Sequence, residues 1–251
     1  MKFLKSIKHF IPAILIFAFS TQLFAQETSL MVRVQAKDAK FIGSSMGGAK
    51  VLVREHLTGK ILAEGVTTGS TGDTKKIMEQ PKQRGKRITN EETAGILLKV
   101  NIDQPLFVTV EAYSPLTSEI KTETQLWLLP GKDILGDGLV LEIPGFFVEV
   151  LSPRAHQELS PSAEIEIKAN IVLMCGCPIS SGGMWNADRY KVEAIISQNG
   201  KRIQTIPMNV TETSLYIGKA TLPKGNYEIA VAAFDPVSGN TGLDKTSIRV
   251  N

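Results

Sequence analysis

Hydrophobic residues in this chain recur mainly at every second position, in short runs separated by Gly, Pro, Asn, Asp and Ser. A period of two places one set of side chains on a buried face and predicts β-strands, whereas no run is typical of an amphipathic helix. Val and Ile, which favour a pleated and half-buried surface, are frequent in the runs. The first series predicts seven strands, over residues 30–36, 49–55, 61–68, 94–100, 106–113, 120–129 and 138–143.

A second series follows Pro144-Gly145, a pair that interrupts regular structure. It predicts seven further strands, over residues 146–151, 164–172, 190–198, 202–208, 214–220, 227–233 and 246–250. Asn199-Gly200 lies between two of these runs and is a strong signal for a β-hairpin. Seven strands in about a hundred residues fit an immunoglobulin-like sandwich. The sequence therefore predicts an all-β chain with two tandem antiparallel β-sandwich domains, over 26–145 and 146–251.

The first 25 residues have the layout of a cleaved secretory signal peptide. Three lysines form a positive segment, an apolar run covers residues 10–19, and Ala25 ends a cleavage site before Gln26. The apolar run is well short of the ~20 residues that span a bilayer, so we expect no transmembrane anchor after cleavage. The predicted location is therefore exported, either periplasmic or extracellular at the surface of a bacterial cell.

Charge and cysteine content narrow the function classes. The net charge of +3 comes from the three lysines of residues 1–25, which hold no acidic residue, so the rest of the chain is balanced. Whole-chain charge is therefore no reason to expect binding to nucleic acid or an anionic membrane. A hydrophobic content of 43% suffices for real cores, and only 2 cysteines are present. A disulfide-framework scaffold is accordingly not expected.

Two segments resemble known domain families. Residues 48–73, which read Gly-Ala-Lys-Val-Leu-Val and then Leu-Thr-Gly-Lys-Ile-Leu-Ala-Glu-Gly-Val-Thr-Thr-Gly-Ser-Thr-Gly-Asp, resemble carboxypeptidase-regulatory or transthyretin-like sandwich domains. This chain departs from that pattern by a basic inserted loop over 74–93. Residues 225–242 are similar to the last hairpin of bacterial Ig-like domains. The resemblances imply a transthyretin-like domain before an Ig-like domain, and accessory, adhesive or binding roles rather than an active site.

A loop rich in sulfur and glycine interrupts the second series of strands. Cys175 and Cys177 are one residue apart, and Met174 and Met184 lie nearby. Thiolate and thioether sulfur together suit Cu(I), which makes copper the one candidate cofactor and these four residues its candidate ligands. Alternatively, the two cysteines form a local disulfide in an oxidising compartment, or they exchange with another chain. The sequence leaves these alternatives open.

The two tryptophans of the chain have different surroundings. Trp185 adjoins the sulfur-rich loop, where an exposed aromatic would line a binding surface for another exported protein. The alternative for Trp185 is a place in the core of its own domain. Trp127 alternates with polar neighbours, and we predict that it is a core or edge residue.

A basic run covers residues 75–87, with six basic residues and one acidic residue. Lys82, Arg84, Lys86 and Arg87 are its candidate contacts to a cell-surface polymer of negative charge. Nucleic acid is not expected as the ligand, because no stacking aromatic lies between 69 and 94. The alternative is a solvated surface loop, whose charge is balanced by acidic neighbours at 91 and 92.

No known catalytic motif is found in the sequence, neither a Gly-x-Ser-x-Gly elbow nor a His-Glu-x-x-His pair nor a phosphate-binding glycine loop. The leading hypothesis is therefore an exported non-enzymatic accessory or binding protein, whose second domain presents the sulfur-rich loop to a partner. One alternative is a periplasmic protein that binds or delivers Cu(I). Another is a surface adhesin or matrix component that binds an anionic polymer.

Overall fold

The computed structural model describes residues 25–116, 120–161 and 164–251. The predicted signal peptide over 1–25 lies outside this range except for its last residue. No helix among the described residues has both the length and the apolar character needed to cross a membrane.

The first half of the described chain, residues 26–143, forms strands β1 to β7. Its strands are β1 (Gln26–Ala36), β2 (Lys50–Glu55), β3 (Ile61–Val66), β4 (Ile96–Ile102), β5 (Leu106–Tyr113), β6 (Lys121–Leu128) and β7 (Ile134–Ile143). Sheet A has the order β4-β1-β7 and sheet B the order β3-β2-β5-β6. The remaining elements are single turns, a 3-10 turn over Ser44–Met46 and a π-helical turn over Lys75–Glu79. The first half is therefore nearly all β, as predicted.

The second half, residues 146–250, forms strands β8 to β16 and one 3-10 turn over Ala187–Arg189. Its strands are β8 (Phe146–Ser152), β9 (Gln157–Leu159), β10 (Glu164–Leu173), β11 (Lys191–Gln198), β12 (Lys201–Pro207), β13 (Asn209–Glu212), β14 (Leu215–Thr221), β15 (Gly225–Phe234) and β16 (Thr241–Val250). Sheet C has the order β13-β14-β10-β8 and sheet D the order β12-β11-β15-β16-β9. In the described residues, strands of the two halves never share a sheet.

Alternation along the strands builds the core of the first half. Val32 and Val34 of sheet A and Val108 and Val110 of sheet B are all fully buried in one hydrophobic cluster. Successive side chains of a strand point to opposite faces, so the inner faces of the two sheets supply this core. The outer faces of sheets A and B consequently point away from each other.

Two strand pairs differ from the antiparallel sandwiches predicted from the sequence. The pairs β1–β7 and β9–β16 are parallel, whereas the other ladders are antiparallel. A parallel pair cannot be joined by a hairpin and needs a long connection. In sheet A the paired strands β1 and β7 are the first and last strands of the first half. Alternation identifies strands but not their partners, so it did not predict this pairing.

The hairpin predicted at Asn199-Gly200 is confirmed. Gln198 pairs with Lys201 across the turn, and both central residues have positive φ, 51° for Asn199 and 75° for Gly200. Positive φ at both positions defines the type I′ turn, whose twist matches that of the flanking strands.

The two halves contact each other around the turn that follows β1. The indole Nε1 of Trp185 donates to the carbonyl of Asp38 at 2.9 Å, and the amide Nδ2 of Asn240 donates to the carbonyl of Lys37 at 3.0 Å. The backbone N–H of Gly145 donates to the Oδ1 of Asn240 at 2.9 Å. Because buried polar groups need partners, these bonds favour one arrangement of the halves. The division into domains at residue 145 stays a prediction.

Candidate functional site

Backbone hydrogen bonds close the base of the basic insert (residues 74–93), where residues 69–70 meet residues 92–94. The N–H of Ser70 donates to the carbonyl of Glu92 at 2.7 Å, and the N–H of Ala94 donates back to the carbonyl of Ser70 at 2.8 Å. Gly69 adopts a φ of 126°, and a Cβ on it would lie 2.6 Å from the carbonyl oxygen of Glu92. Glycine is therefore required at this end of the insert.

A small hydrophobic cluster holds the insert against the first half. Phe41, Ile77 and Ala94 are buried together, and Met78 and Ile88 pack against them. Ile77 lies in the short helical turn that carries the first lysines of the insert. The insert is thus packed on the first half as well as linked to it.

The carboxylate of Asp137 anchors the C-terminal end of the insert to β7. It accepts hydrogen bonds from the backbone N–H groups of Ile88 at 3.1 Å and Thr89 at 3.2 Å. The Thr89 hydroxyl donates to it as well, and the Nε of Arg87 is 3.8 Å from it. Burial alone would raise the pKa of Asp137, but the bonds from Thr89 and Ile88 and the charge of Arg87 outweigh burial and lower it.

A buried cation lies beneath the same end of the insert. Arg33 of β1 is only 3% exposed, and its Nη1 donates to the carbonyls of Thr93 and Ala94. Burial lowers the pKa of Arg33, the charge of Asp137 opposes this, and the charge of Arg87 adds to it. Arg33 therefore ties the backbone of the insert to the outer face of sheet A.

The insert folds around a cleft of about 370 Å³. Four basic residues line it, namely Lys76, Lys82, Lys86 and Arg87, together with Gln80, Pro81, Gln83 and Ile88. The described residues that line this cleft include no carboxylate. Such a concave group of cations produces a positive local potential that attracts anions.

The cleft contains three of the four basic residues singled out in the sequence. Lys82, Lys86 and Arg87 line it, whereas Arg84 is exposed outside the lining. Lys76 completes the set and precedes the residues chosen from the sequence. The exposed acidic residues Glu91 and Glu92, predicted to balance the insert, are not among the lining residues.

The sulfur-rich loop has a different structure from the one that a metal site needs. Cys175 and Cys177 form a disulfide, so neither sulfur is a thiolate in this state. Met174 is buried, and Met184 is 44% exposed at the tip of the loop. The disulfide is the alternative that the structure adopts. Binding of Cu(I) by these four residues would require reduction, and it stays a prediction.

Trp185 packs within its own chain. Its side chain is only 7% exposed and reaches the turn of the first half through the hydrogen bond to Asp38. Trp185 is therefore a core residue, as in the second interpretation from the sequence, and not an exposed binding surface. The exposed part of the sulfur-rich loop consists of Pro178 and the tip over residues 181–184, with Gly183 partly covered.

Trp127 is not a core residue, but it lies on β6, an edge strand of sheet B, which agrees with the edge position that the sequence allowed. It is 59% exposed, on the outer face of sheet B. The strand alternates, and Trp127 shares its phase with Lys121, Glu123 and Gln125, while Leu128 points to the core. The signal was therefore present in the sequence, since this phase is the polar one.

Comparisons with known proteins give no family. No family profile matches the chain, and no curated protein matches it. An engineered protein of known structure is 14% identical with a TM-score of 0.33, over 46% of this chain and 22% of that protein, so the chain spans about a fifth of it.

Two natural proteins of known structure align over most of the chain. The fibronectin(III)-like modules of Clostridium thermocellum CbhA are 14% identical over 92% of both chains, with a TM-score of 0.31. An I-band fragment of titin is 13% identical over 90% of this chain and 60% of the fragment, with a TM-score of 0.26. At these values the likeness carries no conclusion, and the all-β fold rests on the strand pairing of the chain itself. The transthyretin-like and Ig-like resemblances stay predictions.

Proposed function

We propose that this chain is a non-enzymatic binding protein that binds anionic polymers through the cleft of its basic insert. The observation that carries the proposal is the group of four cations, Lys76, Lys82, Lys86 and Arg87, around one concave surface. Of the functions considered from the sequence, this one corresponds to the adhesin or matrix component. The layout of the N-terminus supports an exported location, where polymers of negative charge at the cell surface would be the ligands.

A polymer suits this cleft better than a small anion. All four cations are solvent-exposed, and interactions between exposed charges are screened beyond about 10 Å at 0.1 M salt. Each exposed ionic contact contributes only about 0.2–1 kcal/mol, so useful affinity needs several contacts at once. A repeating ligand supplies them, because linked groups bind with a high effective concentration.

The proposal rests on the insert and not on the sulfur-rich loop for a structural reason. The groups with binding chemistry in that loop, the cysteines and Trp185, are buried, whereas the insert displays its cations to solvent. Presentation of the loop to a partner would depend on Pro178 and the exposed tip.

The test measures binding to heparin, a sulfated polymer, as a function of salt. The wild-type chain is expected to bind at low salt and to lose affinity steeply as salt rises. Replacing Lys82, Arg84, Lys86 and Arg87 by Ser is expected to weaken binding at low salt by at least about fourfold, because four exposed contacts of at least about 0.2 kcal/mol each are lost.

A matched control removes the same number of charges from the second half. Lys191, Lys201, Arg202 and Lys224 are all exposed there, and their replacement by Ser should leave heparin affinity within about twofold of wild type, since they lie outside the cleft. Equal losses in both variants would mean that net charge, not the cleft, governs binding. Full retention in the insert variant would refute the proposal.

A further inference from the structure

The outer face of sheet B carries a row of aromatic side chains that the proposed function does not use. Phe107 of β5 is directly opposite Trp127 of β6, with ring centroids 5.1 Å apart. His56, which follows β2, meets Phe107 edge-on at 5.0 Å. We call these three residues the aromatic row. Trp127, at 59% exposure, offers its indole to solvent at one end of the row.

Polar side chains lie next to the aromatic row, in the register of the strands. Thr109 is opposite Gln125 on one side and Arg54 on the other. The Nδ1 of His56 and the Oγ1 of Thr109 are 2.9 Å apart. Hydrogen-bonding groups are therefore fixed beside the exposed indole by the strands that carry them.

Glu111 organises the next part of the same face. Although it is on an outer face, it is only 9% exposed. Its Oε2 accepts hydrogen bonds from the Nε of Arg54 at 3.1 Å and from the hydroxyl of Tyr113 at 3.0 Å, and Lys121 is 3.7 Å from its other oxygen. A carboxylate held by several donors fixes the positions of those donors in turn.

The charged groups of this face pair with one another. Besides the contacts of Glu111, Lys121 lies 3.0 Å from Glu123 and Lys50 lies 3.9 Å from Glu64. Among the described residues of this face, these opposite charges therefore balance one another, whereas the cations that line the cleft outnumber the carboxylates there. A face with balanced charges and several hydrogen-bonding groups suits an uncharged, hydroxyl-rich ligand.

We propose that the outer face of sheet B binds a neutral polysaccharide, with Trp127 as the stacking residue. A sugar ring presents C–H groups on its face and hydroxyl groups around its rim. An exposed indole packs against the C–H face, and the amide of Gln125 and the guanidinium of Arg54 have donors for hydroxyl groups at the rim. Phe107, the member of the aromatic row on β5, is six residues from Tyr113 on the same strand, a distance of about 20 Å. This extent suits an extended chain of sugars rather than a single sugar.

The proposal is independent of the proposed function. The basic insert packs on the first half beside the outer face of sheet A, where Arg33 holds it, and the aromatic row belongs to sheet B. Loss of binding to an anionic polymer therefore does not imply loss of binding to a neutral polysaccharide, and the reverse also holds.

The experiment is native affinity electrophoresis of the protein in gels that contain soluble neutral polysaccharides. The panel consists of a β-1,4-glucan derivative, a β-1,3-glucan, a xylan and a mannan. At least one member should retard the wild-type chain, and added salt should not reduce the retardation, because the ligand is uncharged. Trp127→Ala should weaken binding to that polysaccharide by about tenfold, since the variant lacks both the ring on which the sugar stacks and its apolar area.

Matched variants keep the result specific. Leu243, 55% exposed on sheet D, serves as the control, and Leu243→Ala should leave retardation unchanged. Trp127→Phe, which keeps a ring, should recover part of the binding. The Ser variant of the insert should still bind the neutral polysaccharide while it loses heparin. No retardation by any panel member, or retardation that Trp127→Ala retains, overturns the proposal.

Discussion

Trp185 and Asp38 are 147 residues apart in the chain, yet the indole Nε1 of one donates to the backbone carbonyl of the other at 2.9 Å. The bond joins the second half to the turn after β1 in the first half. Arg189 reinforces the contact, with its Nη2 3.9 Å from the Asp38 carboxylate and 3.5 Å from Asp235. A residue chosen from the sequence as a surface for a partner therefore acts within the chain.

Replacing Trp185 by Phe should lower the melting temperature. The change removes the donor to Asp38 and reduces the volume of a buried side chain, so we expect a loss of about 1–3 kcal/mol. For a chain of this size each kcal/mol corresponds to roughly 2–4 °C. Differential scanning calorimetry measures the shift, and Trp127→Phe, at an exposed site, should leave the melting temperature nearly unchanged. Equal shifts in the two variants would argue against a role of Trp185 in joining the halves.

Replacing Gly69 by Ala should open the base of the insert. The new Cβ would meet the carbonyl of Glu92 at 2.6 Å, at a backbone φ of 126°, and a side chain in such a conformation costs of order 1–3 kcal/mol. Trypsin should consequently cut the basic run faster than in the wild type, which gel electrophoresis over time would show. Gly85→Ala is the control, because φ is also positive there but nothing lies within 4 Å of its Cβ. An unchanged rate for Gly69→Ala would mean that the backbone bonds of the base do not control access to the insert.

Asp137 should make stability depend on pH in the acidic range. Burial opposes the shift, but bonds from Thr89 and Ile88 and the charge of Arg87 lower the pKa of Asp137 in the folded chain. A lowered pKa contributes stability above the unfolded value of about 3.9, and this contribution is lost as the pH falls through the folded value.

The Asp137→Asn variant tests this dependence. It should be less stable than wild type at pH 7, by about 1–3 kcal/mol, because a charged acceptor is lost. The difference should shrink toward zero as the pH falls below about 4. Urea unfolding of both proteins, at pH 7 and at a pH below about 4, gives their free energies of unfolding. A difference between variant and wild type that is the same at the two pH values would contradict the anchoring role.

The disulfide between Cys175 and Cys177 should contribute little to stability. Only one residue separates the cysteines, and the chain-entropy gain from such a short loop is about 1.5 kcal/mol. The Cys175→Ala, Cys177→Ala double variant should therefore remain folded, with a melting temperature only a few degrees lower. The intact mass of the native protein should be two hydrogens below that of the reduced chain, with no alkylation before reduction. Two thiols that alkylate at once, together with a copper-sized adduct, would instead favour the Cu(I) hypothesis.

Alternation identified most of the strands but not their partners. The run over 106–113 agrees with β5 residue for residue, because its apolar phase is uninterrupted. The short strands β9 (Gln157–Leu159) and β13 (Asn209–Glu212) were not predicted. Three or four residues hold too little of a period to recognise, and these strands exist through pairing with β16 and β14.

The candidate sites differ in how far local sequence indicates them. The cations of the insert lie within one short segment of the chain, so composition indicated three of the four that line the cleft but not Lys76. The aromatic row combines residues from three separate segments, and only the register of β2, β5 and β6 brings them together. Trp127 was nevertheless detectable by its phase. Trp185 was ambiguous, because its contact with Asp38 depends on how the two halves meet.

The opposed outer faces of sheets A and B have a consequence for assembly. A ligand in the cleft of the insert and a ligand on the aromatic row would lie on different sides of the first half, so neither would block the other. The molecule would then be a cross-linker between an acidic and an uncharged polymer. Mixing the two with the protein should produce a gel or precipitate that neither polymer forms with it alone.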